Sequence, residues 1–112
     1  MNKPKKINDG NFDEEVIQAK KPVLVFFHAK WAQLSRMTES YIIEIANEYG
    51  DNLKVCMLDV DQNQSTTSRY GVTNIPTSIL FQKGEIKKRV REYIPKAELL
   101  KVLDLDKYKT TH

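Results

Sequence analysis

The sequence is poor in the residues that hold disulfides and metals. Its 112 residues include one cysteine, Cys56, and two histidines, His28 and His112. No disulfide can form within the chain, and neither a cysteine metal cluster nor a histidine-rich zinc site is expected. We therefore predict that the protein needs no cofactor and no metal.

Long apolar runs are also absent. The longest, residues 23–27, falls far short of the roughly 20 residues that a membrane span needs. The basic and polar segment 1–11 contains no apolar stretch of the kind found in signal peptides. These two absences predict a soluble, cytoplasmic protein without a membrane partner.

No single sign of charge dominates the chain. Eighteen lysines and arginines face 15 aspartates and glutamates, which gives a net charge of +3, whereas a nucleic-acid binder is usually more lopsided. The one dense basic run, KKRVR at 87–91, could attract an acidic partner or a phosphate backbone. On an edge strand, however, such charges prevent edge-to-edge aggregation. We favour that interpretation and expect no nucleic-acid partner.

Apolar segments predict the strands of an α/β sheet. Residues 23–27 show no alternation, which is typical of a strand covered on both faces. Residues 53–58 form a second strand, and the helix between the two makes a parallel βαβ unit. Residues 77–81 form a third, and the turn at 82–85 returns the chain into an antiparallel strand at 86–93. The sheet should therefore be mixed.

Apolar spacing and end signals predict the helices. Residues 12–17 have helical spacing, and Asn8 or Asp9 is a plausible N-cap before them. A longer apolar stripe at helical spacing runs from Met37 to Tyr49, and Gly50 should end this helix. Two shorter helices follow. The first should end near residue 70, and the second should begin at Pro95.

The same signals divide the chain into three parts. Residues 1–10 form a polar arm or a short edge strand, residues 11–104 form one domain, and residues 105–112 form a polar tail. No internal repeat or low-complexity linker interrupts the domain.

Several sequence blocks occur in the order and at the separations of one protein family. They are PVLVFFHAKW (22–31), EIANEYG (44–50), LDVDQN (58–63) followed by YGVTNIPT (70–77), and FQKGE (81–85). On these blocks the chain resembles a thioredoxin from about residue 12 to residue 103. The resemblance implies the thioredoxin fold, in which helices flank a central mixed β-sheet on both faces. It also implies that Pro76 is a cis proline beside the active site.

The redox motif of this family is absent. A thioredoxin has Trp-Cys-Gly-Pro-Cys where this sequence has Trp31, Ala32, Gln33, Leu34 and Ser35. The chemistry needs a thiolate at the start of a helix and a second thiol three residues later. Ala32 offers no nucleophile, and the Ser35 hydroxyl neither ionises near neutral pH nor forms a disulfide. The resemblance therefore implies a thioredoxin-like protein without the catalytic dithiol.

Positions around the motif also differ from the family. The buried acidic residue of a thioredoxin corresponds to Phe26, and the small glycine on the loop after the last strand corresponds to Glu92. The glycine and proline of the motif are replaced by Gln33 and Leu34. So many changes indicate a change of role and not a single inactivating substitution. The resemblance thus implies that these residues now stabilise the fold.

The first functional hypothesis is a binding or scaffold module for an unidentified protein or peptide. Trp31 could be an exposed interface anchor or a half-buried lid over the helix start. Pro76 could present a peptide-binding groove or could simply turn the chain. The protein itself is expected to be a monomer or a weak dimer. The hypothesis assigns the binding surface to Trp31, Gln33, Leu34, Ile75, Pro76 and Glu92, and adds a threonine at position 74 whose role is unknown.

The second hypothesis keeps the protein in a thiol-disulfide redox system, that of cell redox homeostasis. Cys56 or the thiols of a partner would then carry out the exchange. A cysteine inside an apolar strand is more often an inert small hydrophobic residue. A nucleophilic pair of Ser35 with His28 is not expected, since His28 lies on the preceding strand. We therefore predict that the chain is not an enzyme.

Overall fold

The computed structural model describes residues 2–109, which form one five-stranded sheet with helices on both faces. The strands are β1 (Lys5–Ile7), β2 (Val23–His28), β3 (Lys54–Asp59), β4 (Thr77–Gln82) and β5 (Glu85–Val90). The helices are α1 (Gln33–Tyr49), α2 (Gln64–Arg69) and α3 (Lys96–Val102), with a π-helical turn at Asp13–Ile17 and a 3-10 turn at Asp106–Tyr108. The strand order is β1-β3-β2-β4-β5. β1, β3 and β2 run parallel to one another, β4 runs antiparallel to β2, and β5 runs antiparallel to β4. The predicted α/β class with a mixed sheet is confirmed.

The structure shows why apolar and polar residues do not alternate along the central strand β2. Successive side chains of a strand point to opposite faces of the sheet. Leu24 and Phe26 belong to one hydrophobic core, and Val25 and Phe27 belong to another on the opposite face. Because helices cover both faces, every position of the strand through Phe27 is buried.

Each core is completed by different helices. Ile45 of α1 and Leu99 of α3 pack on the face that contains Phe26. Phe12, next to the π-helical turn, and Val72, after α2, pack on the opposite face. The predicted arrangement of helices on both faces is therefore confirmed.

Helix α1 begins four residues before the predicted apolar stripe. Its buried positions lie on one side, as in an amphipathic helix, and apart from the adjacent pair at 45–46 they are three or four residues apart. They are Ser35, Thr38, Ile42, Ile45, Ala46 and Tyr49. The first two are polar, so an apolar pattern could not reveal them, whereas Met37 is 42% exposed. Gly50 ends the helix in an ordinary right-handed conformation (φ −62°), and a side chain there would collide with Asn2.

The fold extends past both predicted domain boundaries. β1 pairs in parallel with β3, Lys5 opposite Cys56, so the segment before residue 11 contributes an edge strand. Leu105, placed in the predicted polar tail, is fully buried in the core that α1 and α3 cover. Asp106–Tyr108 of that tail form the 3-10 turn, and residues 110–112 lie outside the described residues.

The predicted N-caps of the first helix were wrong. Asn8 Oδ1 accepts a hydrogen bond from the backbone N–H of Asn11 (3.0 Å), within the turn before the helix. Asp9 Oδ1 accepts one from the backbone N–H of Thr66 (2.8 Å), in the first turn of α2. Asp9 thus satisfies a free N–H of a helix 57 positions away, a contact that local spacing cannot reveal.

Candidate functional site

The predicted site residues lie on segments that leave or enter the sheet at one edge. β2 and β4 are antiparallel neighbours, with Phe27 near the end of β2 opposite Thr77 at the start of β4. The loop that leads to Trp31 therefore starts beside the segment that contains Ile75 and Pro76. The peptide bond between Ile75 and Pro76 is cis.

The expectation of a threonine at position 74 was wrong, because the residue there is Asn74. The threonines of this segment are Thr73, one position earlier, and Thr77, at the start of β4. Asn74 is exposed, and its backbone carbonyl oxygen accepts a hydrogen bond from Thr77 Oγ1 at 2.6 Å. The carbonyl group of Asn74 therefore helps to hold the turn around Pro76, and the amide side chain lies at the surface of the site.

Glu92 follows the strand that ends at the same edge. Val90, the last residue of β5, pairs with Ser78 near the start of β4. Glu92 lies two residues farther on and is exposed. The sheet thus brings the β2–α1 loop, the segment before β4 and the segment after β5 to one edge.

Trp31 presents its ring to solvent at this edge. The side chain is 68% exposed, so it does not form the half-buried lid that the sequence left open. Its Nε1–H donates a hydrogen bond to Asp61 Oδ2 at 2.8 Å. Asp61, on the loop after β3, was not among the predicted site residues, and only its place in the block LDVDQN marked it. The hydrogen bond holds one side of the indole, and the ring remains exposed to solvent.

Apolar exposure continues along the first turn of α1. Leu34 and Met37 are 47% and 42% exposed. Residues three apart are neighbours on a helix surface, so these two side chains form one apolar ridge. Gln33 is exposed beside this ridge, whereas Ile75 is half-buried and Pro76 is buried.

Ser35 supports the loop and does not face solvent. Its side chain is 1% exposed, and its Oγ accepts a hydrogen bond from the backbone N–H of Ala29 at 3.1 Å. Ala32, the residue before α1, is extended (φ −90°, ψ 116°) and buried. Neither motif position places an exposed nucleophile at the helix start.

His28 does not complete a nucleophilic pair with Ser35. The imidazole stacks on the ring of Phe26, with centroids 5.7 Å apart and planes 19° from parallel. Burial lowers the pKa of His28, so the ring is neutral at pH 7. No hydrogen bond joins the two side chains in the described part of the chain, and His28 acts as a packing residue.

Phe26 fills the core at the position of the family's buried acid. The side chain is fully buried. Its register partners are Met57 on β3 and Ser78 on β4, and neither carries a charge. A carboxylate at position 26 would therefore find no cation directly opposite it on either neighbouring strand.

Cys56 is placed where it is chemically inert. The side chain is fully buried and belongs to the same core as Val25 and Leu58. Burial raises the pKa of the thiol to about 11, so the reactive thiolate is scarce at neutral pH. This placement weighs against a redox role for Cys56.

We expect Cys56 to react with a water-soluble maleimide at least about a hundredfold more slowly in the native protein than in concentrated urea, because modification must wait for the core to open. A matched control is Trp31→Cys in a Cys56→Ser background, whose exposed thiol should react quickly without urea. Equal rates for Cys56 in the native and denatured states would show an accessible thiol and restore the redox-sensor hypothesis.

The described residues show neither a metal site nor a membrane span. Within residues 2–109, no group of three or more histidine, cysteine, aspartate or glutamate side chains is arranged to hold a metal ion. No helix in that range is long and apolar enough to cross a bilayer.

The sheet order, the helices on both faces and the cis-proline segment beside the loop after β2 define a thioredoxin-like architecture. The thioredoxin family model matches residues 3–105. A thioredoxin of Griffithsia pacifica is 43% identical over 95 residues, which cover 85% of this chain and 87% of that protein. A thioredoxin of Pseudomonas aeruginosa is 37% identical over 98 residues, covering 88% of this chain and 91% of that protein. The chain belongs to the thioredoxin family.

Proposed function

We propose that this thioredoxin-family protein does not exchange thiols and disulfides, and that it binds a protein or peptide at the edge that carries Trp31 and Pro76. The observation that carries the proposal is the pair of residues at the start of α1. Ala32 and Ser35 occupy the two positions of the family's cysteines, and the one cysteine of the chain is buried in β3.

The start of α1 carries no thiol whose pKa the helix dipole could lower. The positive end of a helix dipole favours a thiolate and so lowers the pKa of a thiol there. Ala32 has no ionisable group, and the Ser35 hydroxyl is buried against the backbone of Ala29. A mixed disulfide with a substrate therefore has no sulfur at the start of α1 at which to form.

The exposed residues at the same edge favour binding. Trp31, Leu34 and Met37 are among the most exposed large apolar side chains of the described residues. A tryptophan held by a hydrogen bond loses little additional freedom on binding and is a common interface anchor. Glu92 adds an exposed carboxylate at this edge, and Lys30 and Arg36 add exposed cations. The partner segment that fits best is therefore one with an apolar anchor.

A peptide-display selection tests this binding surface. Peptides enriched on the unmodified protein should be lost on Ile75→Glu, which places a charge beside Pro76. They should be kept on Ile86→Glu, which makes the same substitution at an exposed position of the β4–β5 hairpin, away from the site. Selected peptides that bind all three proteins equally would contradict the proposal.

For any selected peptide, Trp31→Ala should weaken the affinity by about thirtyfold, the typical loss for a hot-spot aromatic. Titration by fluorescence anisotropy measures the effect. Val102→Ala, an exposed apolar position on α3, is the matched control and should leave the affinity unchanged. Equal losses in the two variants would remove Trp31 from the interface.

A further inference from the structure

A cavity lies at the edge of the sheet that carries Trp31. Its volume is about 330 Å³. Ile7, His28 and Asp59 are the last residues of the parallel strands β1, β2 and β3, and all three line the cavity. Ligands of open α/β sheets usually bind in a crevice outside the carboxyl ends of the strands. The position of this cavity therefore favours a binding site.

The cavity borders the exposed indole of Trp31. Lys30, which lines the cavity, immediately precedes Trp31 in the chain. Asp59 and Gln62, also in the wall, lie on either side of Asp61. The indole N–H donates its hydrogen bond to Asp61 Oδ2 at 2.8 Å. The cavity and the indole therefore share the loop after β2 and the loop after β3, which this hydrogen bond ties together.

Ionisable side chains of three neighbouring strands reach the cavity from one face of the sheet. Lys6 is the register partner of Met57, which belongs to the core covered by α1 and α3. Asp59 lies two residues beyond Met57 and so points to the same face. His28 is the register partner of Asp59. Lys6, Asp59 and His28 thus share a face, and all three line the cavity.

The wall carries more positive than negative charge. Lys6 and Lys30 are exposed, and among residues 2–109 they form no ion pair. Of the described residues that line the cavity, Asp59 is the one carboxylate, and its Oδ1 accepts a hydrogen bond from the backbone N–H of Asp61 at 2.9 Å. The wall thus holds two ammonium groups without a carboxylate partner and one carboxylate that is already hydrogen-bonded. A negatively charged group is the complementary ligand.

We propose that this cavity receives the carboxylate of an acidic residue in the partner segment whose apolar anchor binds Trp31. The inference rests on the proposed function and adds a second specificity pocket to it. The ammonium groups of Lys6 and Lys30 would donate charge-assisted hydrogen bonds to the carboxylate. A basic residue of the partner is disfavoured there, because it would meet the excess of like charge. The partner segment then has two features, an apolar anchor and an acidic residue within a few positions of it.

A double-mutant cycle with peptides from the display selection tests the pocket by fluorescence anisotropy. Replacing the acidic residue of a selected peptide with the matching amide should weaken the affinity for the unmodified protein about tenfold. The same replacement should matter less than about twofold for the Lys6→Gln, Lys30→Gln protein, because the charges that the carboxylate contacts are gone. Lys88→Gln with Lys101→Gln changes the net charge equally at exposed positions elsewhere and should keep the tenfold difference. Equal differences in all three proteins would overturn the proposal.

His28 gives the pocket a pH-dependent readout. Burial lowers the pKa of His28, and four neighbouring charges also act on the ring. They come from β3, α1, the loop after β2 and β1, and are Asp59, Glu39, Lys30 and Lys6. A carboxylate bound beside the imidazole favours the protonated ring, so binding takes up a proton and becomes tighter as the pH falls.

The advantage of the acidic peptide over its amide counterpart should therefore increase severalfold between about pH 7.5 and about pH 5.5, where a peptide carboxylate remains ionised. His28→Gln should abolish the increase. An advantage of the same size at both pH values in the unmodified protein would contradict the placement of the carboxylate in this cavity.

The selection itself separates failure of this inference from failure of the proposed function. Peptides that depend on Trp31 and Ile75 should also share an acidic residue. If they depend on Trp31 and Ile75 but show no preference for an acidic residue, the pocket is overturned while the partner surface stands. If no selected peptide depends on these two residues, the proposed function falls and the pocket falls with it.

Discussion

Replacing Phe26 with aspartate is expected to lower the free energy of unfolding by about 3–5 kcal/mol at pH 7. The substitution removes a fully buried aromatic ring and leaves a cavity in the core shared with α1 and α3. It also buries a carboxyl group between Met57 and Ser78, neither of which is charged. Urea unfolding at neutral pH measures the loss.

The loss should be smaller at low pH. Burial disfavours the charged form, so the pKa of the new carboxyl should be higher in the folded protein than the value of about 3.9 in the unfolded chain. The folded variant then binds the proton more tightly, and its stability relative to the unmodified protein falls as the pH rises from about 4 through the folded pKa. Phe26→Leu is the control, with a smaller loss that does not depend on pH. A loss below about 1 kcal/mol for Phe26→Asp would contradict the assignment of Phe26 to packing.

Restoring both cysteines should create activity, but little of it. Ala32→Cys with Ser35→Cys places thiols at the family's two positions, so we expect an intramolecular disulfide and measurable reduction of insulin. The rate should remain about a hundredfold below that of the Pseudomonas aeruginosa thioredoxin, because Phe26 supplies no proton-transfer group. Glu92, at the same edge of the sheet, should also raise the pKa of the new thiol.

Two additional variants separate the causes. Adding Phe26→Asp to the two cysteines should raise the rate at least about tenfold, at the cost in stability described above. Ala32→Cys alone has the nucleophile without the resolving thiol and should not turn over. If the two cysteines alone gave the full rate of a thioredoxin, the changes at Phe26, Leu34 and Glu92 would be incidental.

The sequence was most informative where a pattern is local and repeated. The unbroken apolar run of β2 predicted a strand covered on both faces, and the blocks of the resemblance predicted the family. Elements held by distant contacts were harder to predict. The sequence left open whether residues 1–10 are an arm or an edge strand, and pairing with β3 makes Lys5–Ile7 a strand. Leu105, assigned to a polar tail, is buried in the core beneath α1 and α3.

The site was predictable in composition but not in geometry. Trp31, Ala32 and Ser35 could be assigned from the motif, and Pro76 could be assigned from the block YGVTNIPT. The hydrogen bond from Trp31 to Asp61, 30 residues away, could not be predicted, because it depends on the loops after β2 and β3 meeting in space. The buried role of Ser35 likewise depends on the turn that brings the N–H of residue 29 to its hydroxyl.

The most direct test of the central claim is the dithiothreitol-dependent reduction of insulin by the unmodified protein. A Cys56→Ser variant and the Pseudomonas aeruginosa thioredoxin are measured beside it. The account predicts that the unmodified protein and Cys56→Ser both match the uncatalysed rate, while the relative exceeds it by orders of magnitude. Turnover by the unmodified protein above the uncatalysed rate would contradict the account. Loss of that turnover in Cys56→Ser would assign it to the buried thiol.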